Sequence, residues 1–154
     1  METSQFLSFH LDPEIFAIDI SRIKEVLEFT SLTKIPQTPD FMCGVINLRG
    51  SVVPVVDLRL KFGMSKIVTT VNTCIIIIDV THDDDNTVIG ALVNSVKEVM
   101  EIDPNQIEPA PKLGIGIRND FIRGVGKQGN QFVILLDTDK IFSETELATL
   151  HRDN

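Results

Sequence analysis

The sequence contains no tryptophan and no tyrosine, so phenylalanine supplies all nine of its aromatic residues. Most of the side chains on which proteins stack bases and sugars are therefore absent. Basic residues are in the minority, because 14 lysines and arginines stand against 22 aspartates and glutamates, a net charge of −8 over 154 residues. An acidic surface repels phosphate groups, which makes nucleic acid and anionic membrane surfaces poor candidate partners.

Cysteine and long apolar runs are also scarce. Cys43 and Cys74 form neither a C-x-x-C pair nor a disulfide framework, which favours two buried thiols in a reducing compartment. No apolar run approaches the roughly 20 residues that a membrane-spanning helix needs. The N-terminal residues lack the basic and apolar segments of a signal peptide. We therefore expect a cytoplasmic protein that does not insert into the membrane.

Residues that could carry catalysis or bind a metal form no recognisable motif. The three histidines, His10, His82 and His151, lie far apart, and no H-E-x-x-H sequence is present. The acidic run Asp83–Asp85 lacks the spacing of a calcium-binding loop. The residues thus predict no enzyme, no cofactor and no bound metal.

Most of the chain has the pattern of short β-strands. Gly50-Ser51 separates two strand-like segments, Val45–Arg49 and Val52–Val56, and predicts a hairpin. The β-branched run Cys74–Val80 is typical of a buried strand. A capping box, S-E-T-E at residues 143–146, predicts a helix at the C-terminus.

An internal repeat is the most informative feature. The segment IKEVLEF at residues 23–29 matches VKEVMEI at 96–102, with four of seven positions identical. The similarity resumes after an insertion, where Asp57 matches Asp137 at the ends of strand-like segments. The symmetry of these two carboxylates favours a shared role as helix caps. We interpret the chain as a single domain, residues 1–154, that contains two copies at about 16–62 and 89–142.

Each copy carries about five short strands and little helix. A five-stranded sheet with one apolar face is stabilised when it curls onto itself. The expected architecture is mainly β, with two five-stranded barrels packed side by side, a few short helices and a C-terminal helix. Each barrel is too small to be stable alone, so the two should pack against each other.

Both copies carry a stripe of aliphatic residues. These residues recur at three-residue spacing, at Ile20, Ile23 and Val26 and at Val93, Val96 and Val99. The stripe belongs either to the core or to a surface, and spacing alone leaves both open. Two barrels placed together would bring the stripes near one cleft, which would suit an amphipathic helix.

Arg49 breaks the symmetry of the repeat, because the matching residue is Gly129. Asn47 belongs to the same hairpin. A turn does not require arginine for folding, and arginine is suited to carboxylate pairing and to interfaces, although a solvated side chain remains the alternative. Glu25, which the second copy keeps as Glu98, is its expected neighbour across strands.

The segment GVINLRGSVVPVVDLR at residues 44–59 closely resembles the signature of the CheW family of bacterial chemotaxis coupling proteins. The likeness extends from FLSF near the N-terminus to LLDTDKI near the C-terminus. It implies barrels of the Src-homology-three type and no catalysis. It also implies an adaptor, recruited from the cytoplasm to membrane receptor arrays, that couples the helical tip of methyl-accepting chemoreceptors to the regulatory domain of the histidine kinase CheA.

The resemblance implies a receptor-binding groove between the barrels. Residues that match its aliphatic lining, residues of the signature hairpin, and those singled out above make up the expected site: Leu7, Ile20, Ile23, Glu25, Val26, Asn47, Arg49, Gly50, Val96 and Val99. Two other functions fit the residues less well. A small-ligand or metal-binding barrel is disfavoured by the missing ligand spacing, and an oligonucleotide-binding barrel by the negative charge.

Overall fold

The computed structural model describes residues 4–82, 85–109, 121–143 and 146. Eleven strands account for most of them: β1 (Ser4–Leu11), β2 (Glu14–Asp19), β3 (Ile23–Glu28), β4 (Met42–Leu48), β5 (Ser51–Asp57), β6 (Cys74–His82), β7 (Asp85–Val93), β8 (Ser95–Ile102), β9 (Ile107–Glu108), β10 (Ile122–Gln128) and β11 (Gln131–Leu136). One short helix, α1 (Leu58–Lys61), and three 3₁₀ turns, Ile20–Arg22, Pro104–Gln106 and Thr138–Lys140, complete the described elements.

The strands form two sheets. The first has the order β8-β1-β2-β11-β10-β9, and the second has the order β3-β6-β7-β5-β4. The expectation of a mainly β fold in two modules is confirmed, and each sheet forms one module, numbered like its sheet. The first sheet has six strands rather than five, because the two-residue strand β9 pairs with β10 at its edge. The predicted C-terminal helix lies outside the described residues apart from its capping box.

The two sheets have the same topology. Each contains one parallel pair, β2 with β11 and β5 with β7, and the remaining pairs are antiparallel. The isolated bridge between Thr33 and Val45 corresponds to the pairing of β9 with β10. The chain crosses from one sheet to the other after β2 and again after β7, so each sheet contains strands from both halves of the sequence. The boundaries of the repeat stay a prediction.

The main core lies between the sheets. Alternate residues of a strand face opposite sides of a sheet, and strands β1 and β6 bury side chains on both sides. Leu7 and Phe9 of β1 and Ile76 and Ile78 of β6 belong to one shared cluster that also receives residues of β5 and β7. All four residues Ile75–Ile78 have no exposed surface, which confirms the predicted buried strand. A smaller cluster fills the interior of the first module.

Phenylalanine pairs join the two halves of the chain. Phe62 stacks on Phe121 with ring centroids 4.5 Å apart, and Phe41 lies 6.2 Å from Phe142. The offset that matches Asp57 with Asp137 also matches Phe41 with Phe121 and Phe62 with Phe142, so each pair takes one ring from each predicted copy. The ammonium of Lys61 lies 5.4 Å from the Phe41 ring centroid and 5.8 Å from that of Phe142, where a cation is attracted by the ring faces.

Side-chain caps close the local elements as the sequence predicts. Asp57 Oδ1 accepts a hydrogen bond from the backbone N–H of Leu60, and Asp137 Oδ1 accepts one from Asp139. The capping box is also present, since the N–H of Ser143 donates to Glu146 Oε1 and the N–H of Glu146 donates to Ser143 Oγ. Asp57 has a second role, because its Oδ2 accepts from the N–H of Ile67 at 2.9 Å.

Replacing Asp57 is expected to destabilise the fold more than replacing its repeat counterpart. Asp57 is 1% exposed and accepts two backbone hydrogen bonds, so Asp57→Ala leaves two donors without a partner and should cost about 3 kcal/mol of unfolding free energy. Asp137→Ala removes one cap at a half-buried site and should cost about 1 kcal/mol. Urea unfolding measures both. Equal losses would contradict the double role of Asp57.

Candidate functional site

The apolar face between the sheets continues onto their exposed edges. Val26 on edge strand β3 lies opposite Ile76, and Val99 on edge strand β8 lies opposite Leu7. Directly opposed residues share one face of a sheet. Val26 and Val99 therefore belong to the inter-sheet face, but they are 41% and 52% exposed. An apolar surface thus leaves the core and reaches solvent on both sheets.

Two β-bulges explain the three-residue spacing of the aliphatic stripes. In a regular strand, residues three apart face opposite sides. The register of β3 shifts between Ile23 and Glu25, and the pairing of β8 with β1 shifts in the corresponding place, between Val96 and Glu98. Each bulge inserts one residue and returns the later valine to the face of the earlier aliphatic residue.

Five of the expected site residues therefore lie along the same faces of the two sheets, and a sixth, Ile20, packs against the same core from the 3₁₀ turn before β3. We call this set the aliphatic seam: Leu7, Ile20, Ile23, Val26, Val96 and Val99. Leu7 is buried within the core at 6% exposure, whereas Ile20, Ile23 and Val96 are half-buried against the core. Val93, which shares the spacing in the sequence, is fully buried and belongs to the core alone.

Glu25 and Arg49 form an ion pair. Arg49 Nη1 lies 3.4 Å from Glu25 Oε1, and Arg49 Nη2 donates a second hydrogen bond to Glu25 Oε2. Glu25 lies on β3 and Arg49 on the β4–β5 turn, so the pair joins the two opposite edges of the second sheet. The contact expected from the sequence is present. The Arg49 side chain remains 72% exposed and the Glu25 side chain 27%.

The pairing shifts the titration of both groups. The hydrogen bond from Arg49 lowers the pKa of the Glu25 carboxyl below its ordinary value, and the charge of Arg49 acts in the same direction. The hydrogen bond from Glu25 raises the pKa of the Arg49 guanidinium. Both groups therefore stay charged throughout the neutral range.

The turn that carries Arg49 differs from the prediction by one residue. The sequence predicted Gly50-Ser51 as the turn, but Ser51 opens β5 and the turn consists of Arg49 and Gly50. Both have positive φ, 50° and 89°, as a type I′ hairpin requires. Asn47 Oδ1 accepts a hydrogen bond from the N–H of Gly50 at 2.8 Å and supports this conformation.

The first module has a different contact at the corresponding place. Gly129 occupies the turn position of Arg49 and has a φ of 61°. Glu98 therefore has no arginine opposite it. Instead, Lys97 Nζ on edge strand β8 lies 3.2 Å from Gln131 Oε1 beside the β10–β11 turn. Among the described residues, an ion pair links the hairpin turn to the opposite edge strand in the second module only.

A cleft that the sequence analysis missed lies away from the aliphatic seam. It has a volume of about 490 Å³, and its lining includes Phe29, Met42, Cys43 and Ile67 beside the buried carboxylate of Asp57. Burial raises the pKa of the Cys43 thiol to about 11. Because the thiolate is the reactive form, the raised pKa disfavours reaction of Cys43 at neutral pH.

The described residues contain neither a metal-binding cluster nor a membrane-spanning helix. No group of three or more histidine, cysteine, aspartate or glutamate side chains is placed there to hold a metal ion. None of the helices in this part of the chain is long and apolar enough to cross a membrane.

Residues 5–146 match the family model of the CheW-like domain. The chain belongs to the CheW family. A chemotaxis protein CheW of Klebsiella aerogenes is 35% identical over 144 residues, which cover 94% of this chain and 84% of that protein. The CheW of Thermotoga maritima is 34% identical over 143 residues, covering 91% and 88%.

A solved CheW-family structure supports the fold. The crystal structure of the scaffolding protein TtCheW from Thermoanaerobacter tengcongensis matches with a TM-score of 0.82 and 34% identity over 95% of this chain and 92% of that one. The expected family and Src-homology-three-like fold are therefore confirmed. The arginine-glycine pair of the segment that resembles the family signature forms the β4–β5 turn.

Arg49→Asn tests the ion pair while keeping the turn, because asparagine tolerates positive φ. The pKa of the Glu25 carboxyl should rise toward its ordinary value, as measured by carboxyl NMR titration. The lowered pKa of Glu25 stabilises the wild-type fold above the unfolded-state pKa, and the contribution is lost as the pH falls through the folded-state pKa. The stability difference between wild type and variant should therefore shrink on acidification. Lys97→Gln is the control and should leave the Glu25 titration unchanged.

Proposed function

We propose that this protein is a non-enzymatic scaffold of bacterial chemotaxis signalling that couples the tip of chemoreceptors to the histidine kinase CheA. Membership of the CheW family supports the proposal, as do relatives named as chemotaxis proteins and a similar structure described as a scaffolding protein. The observation that carries it is the aliphatic seam, since apolar surface leaves the core at Val26 and Val99 and remains exposed.

In this proposal a helix of the receptor tip docks along the groove between the sheets. An amphipathic helix binds by laying its apolar face into such a groove. Val26 and Val99 would make the most contact because they are the most exposed members of the seam. Ile20, Ile23 and Val96 would form the sides, and Leu7 would support the floor from within the core.

The hairpin turn would supply the polar part of the contact. Arginine has five N–H donors, and Glu25 engages the guanidinium through Nη1 and Nη2. The remaining donors of the exposed Arg49 side chain are available to a receptor carbonyl or carboxylate, so the ion pair can dock without first breaking. Asn47 and Gly50 hold the turn in the conformation that presents Arg49.

The second partner in this proposal is the regulatory domain of CheA, and the complex forms in the cytoplasm at membrane receptor arrays. The coupling is a matter of binding alone, with no cofactor and no bond made or broken. A net charge of −8 fits partners that are proteins rather than nucleic acid.

The double variant Val26→Asp/Val99→Asp tests the proposed receptor site. A charge at each exposed valine should weaken binding to the cytoplasmic signalling fragment of a chemoreceptor at least tenfold by calorimetry, because it must be desolvated in the complex. Both valines are partly exposed, so the urea midpoint should change little. Val71→Asp is the matched control, since Val71 is 99% exposed and outside the seam. Wild-type affinity of the folded double variant would overturn the receptor site.

A further inference from the structure

The seam of the second sheet ends at a glutamate. Glu28 follows Val26 by two residues on β3, and the register between them is regular, with Val26 opposite Ile76 and Glu28 opposite Cys74. Residues two apart in a regular strand share a face. The Glu28 side chain is exposed and therefore lies beside Val26 on the surface that leaves the core.

The seam of the first sheet ends in the same way. Glu101 follows Val99 by two residues on β8, and it lies opposite Gln5 where Val99 lies opposite Leu7. The bulge of this strand precedes both residues, so the regular alternation holds between them. Glu101 is exposed, and each exposed valine of the seam thus has a glutamate as its neighbour on the same face.

Neither glutamate is neutralised within the described part of the chain. Glu28 and Glu101 make no ion pair with a residue that the structure describes. The lysines of the same two strands are engaged elsewhere: Lys24 Nζ lies 3.8 Å from Asp79 Oδ1, and Lys97 Nζ lies 3.2 Å from Gln131 Oε1. The seam therefore combines exposed aliphatic surface with two unpaired negative charges.

We propose that the helix that docks on the aliphatic seam carries basic side chains beside its apolar stripe, and that Glu28 and Glu101 select it. This inference rests on the proposed function and specifies the chemistry of the docking helix. A carboxylate at the border of an interface loses hydrating water when the partner binds. A lysine or arginine of the partner compensates for this loss, whereas an acidic residue is repelled. The two glutamates thus select against acidic helices as well as for basic ones.

Three synthetic helical peptides with one leucine stripe provide the test. They differ only in the residues that flank the stripe, which are lysine, glutamine or glutamate. Fluorescence anisotropy with the full chain should give affinity for the lysine peptide about fivefold tighter than for the glutamine peptide and about tenfold tighter than for the glutamate peptide. The preference should decrease with added salt, because the charges are exposed.

Glu28→Gln/Glu101→Gln should bring the three affinities to within about twofold. Glu14→Gln/Glu108→Gln is the matched control, since both are exposed glutamates outside the seam, and it should keep the preference for lysine. Equal binding of the three peptides by wild type would overturn the inference, as would a preference that survives in Glu28→Gln/Glu101→Gln.

The glutamine peptide separates this inference from the proposed function. Its binding depends on the apolar contact, and Val26→Asp/Val99→Asp should abolish it. If the glutamine peptide binds in this way while lysine brings no gain, the inference is wrong and the seam remains a helix site. If none of the three peptides binds, the seam is not a helix site and both proposals are wrong.

Discussion

The structure depends on the burial of both faces of two central strands, β1 and β6. One face of each fills its own module and the other meets the opposite sheet, so neither module can be completed without its neighbour. Because the chain crosses between the sheets after β2 and again after β7, two covalent connections also join the modules. The same inter-sheet packing forms the candidate site, because its outermost residues, Val26 and Val99, remain partly exposed in the described structure.

The two modules share most of their structure but differ at the hairpin turn that carries Arg49. Equivalent bulges, equivalent parallel pairs and crossed phenylalanine pairs give the two modules one architecture and place a valine and a glutamate at the edge of each. One departure from symmetry lies at the turn, where Arg49 stands in place of glycine. In the second module Arg49 of the turn forms an ion pair with Glu25 on the opposite edge strand. In the first module Lys97 and Gln131 form the corresponding contact. The symmetric part builds the seam, and the asymmetric part adds a charged group to one side of it.

Much of the local structure follows from short stretches of sequence. The caps at Asp57 and Asp137 and the capping box at Ser143 involve residues two or three apart, so composition and spacing are enough to predict them. The buried strand β6 follows from its β-branched run. The predicted position of the β4–β5 turn was wrong by one residue, because intrinsic preferences do not favour an arginine at positive φ. Asn47 and the ion pair with Glu25 hold Arg49 in this conformation.

By itself the sequence determined the family, the β class and the identity of the aliphatic stripes, since all of these depend on patterns along the chain. Only the tertiary structure decided that two bulges turn each stripe onto a single face, that Glu25 and Arg49 meet across opposite sheet edges, and that Glu28 and Glu101 border the exposed valines. These features depend on pairing between residues far apart in the chain. Periodicity records which residues recur, whereas strand register decides which way they face.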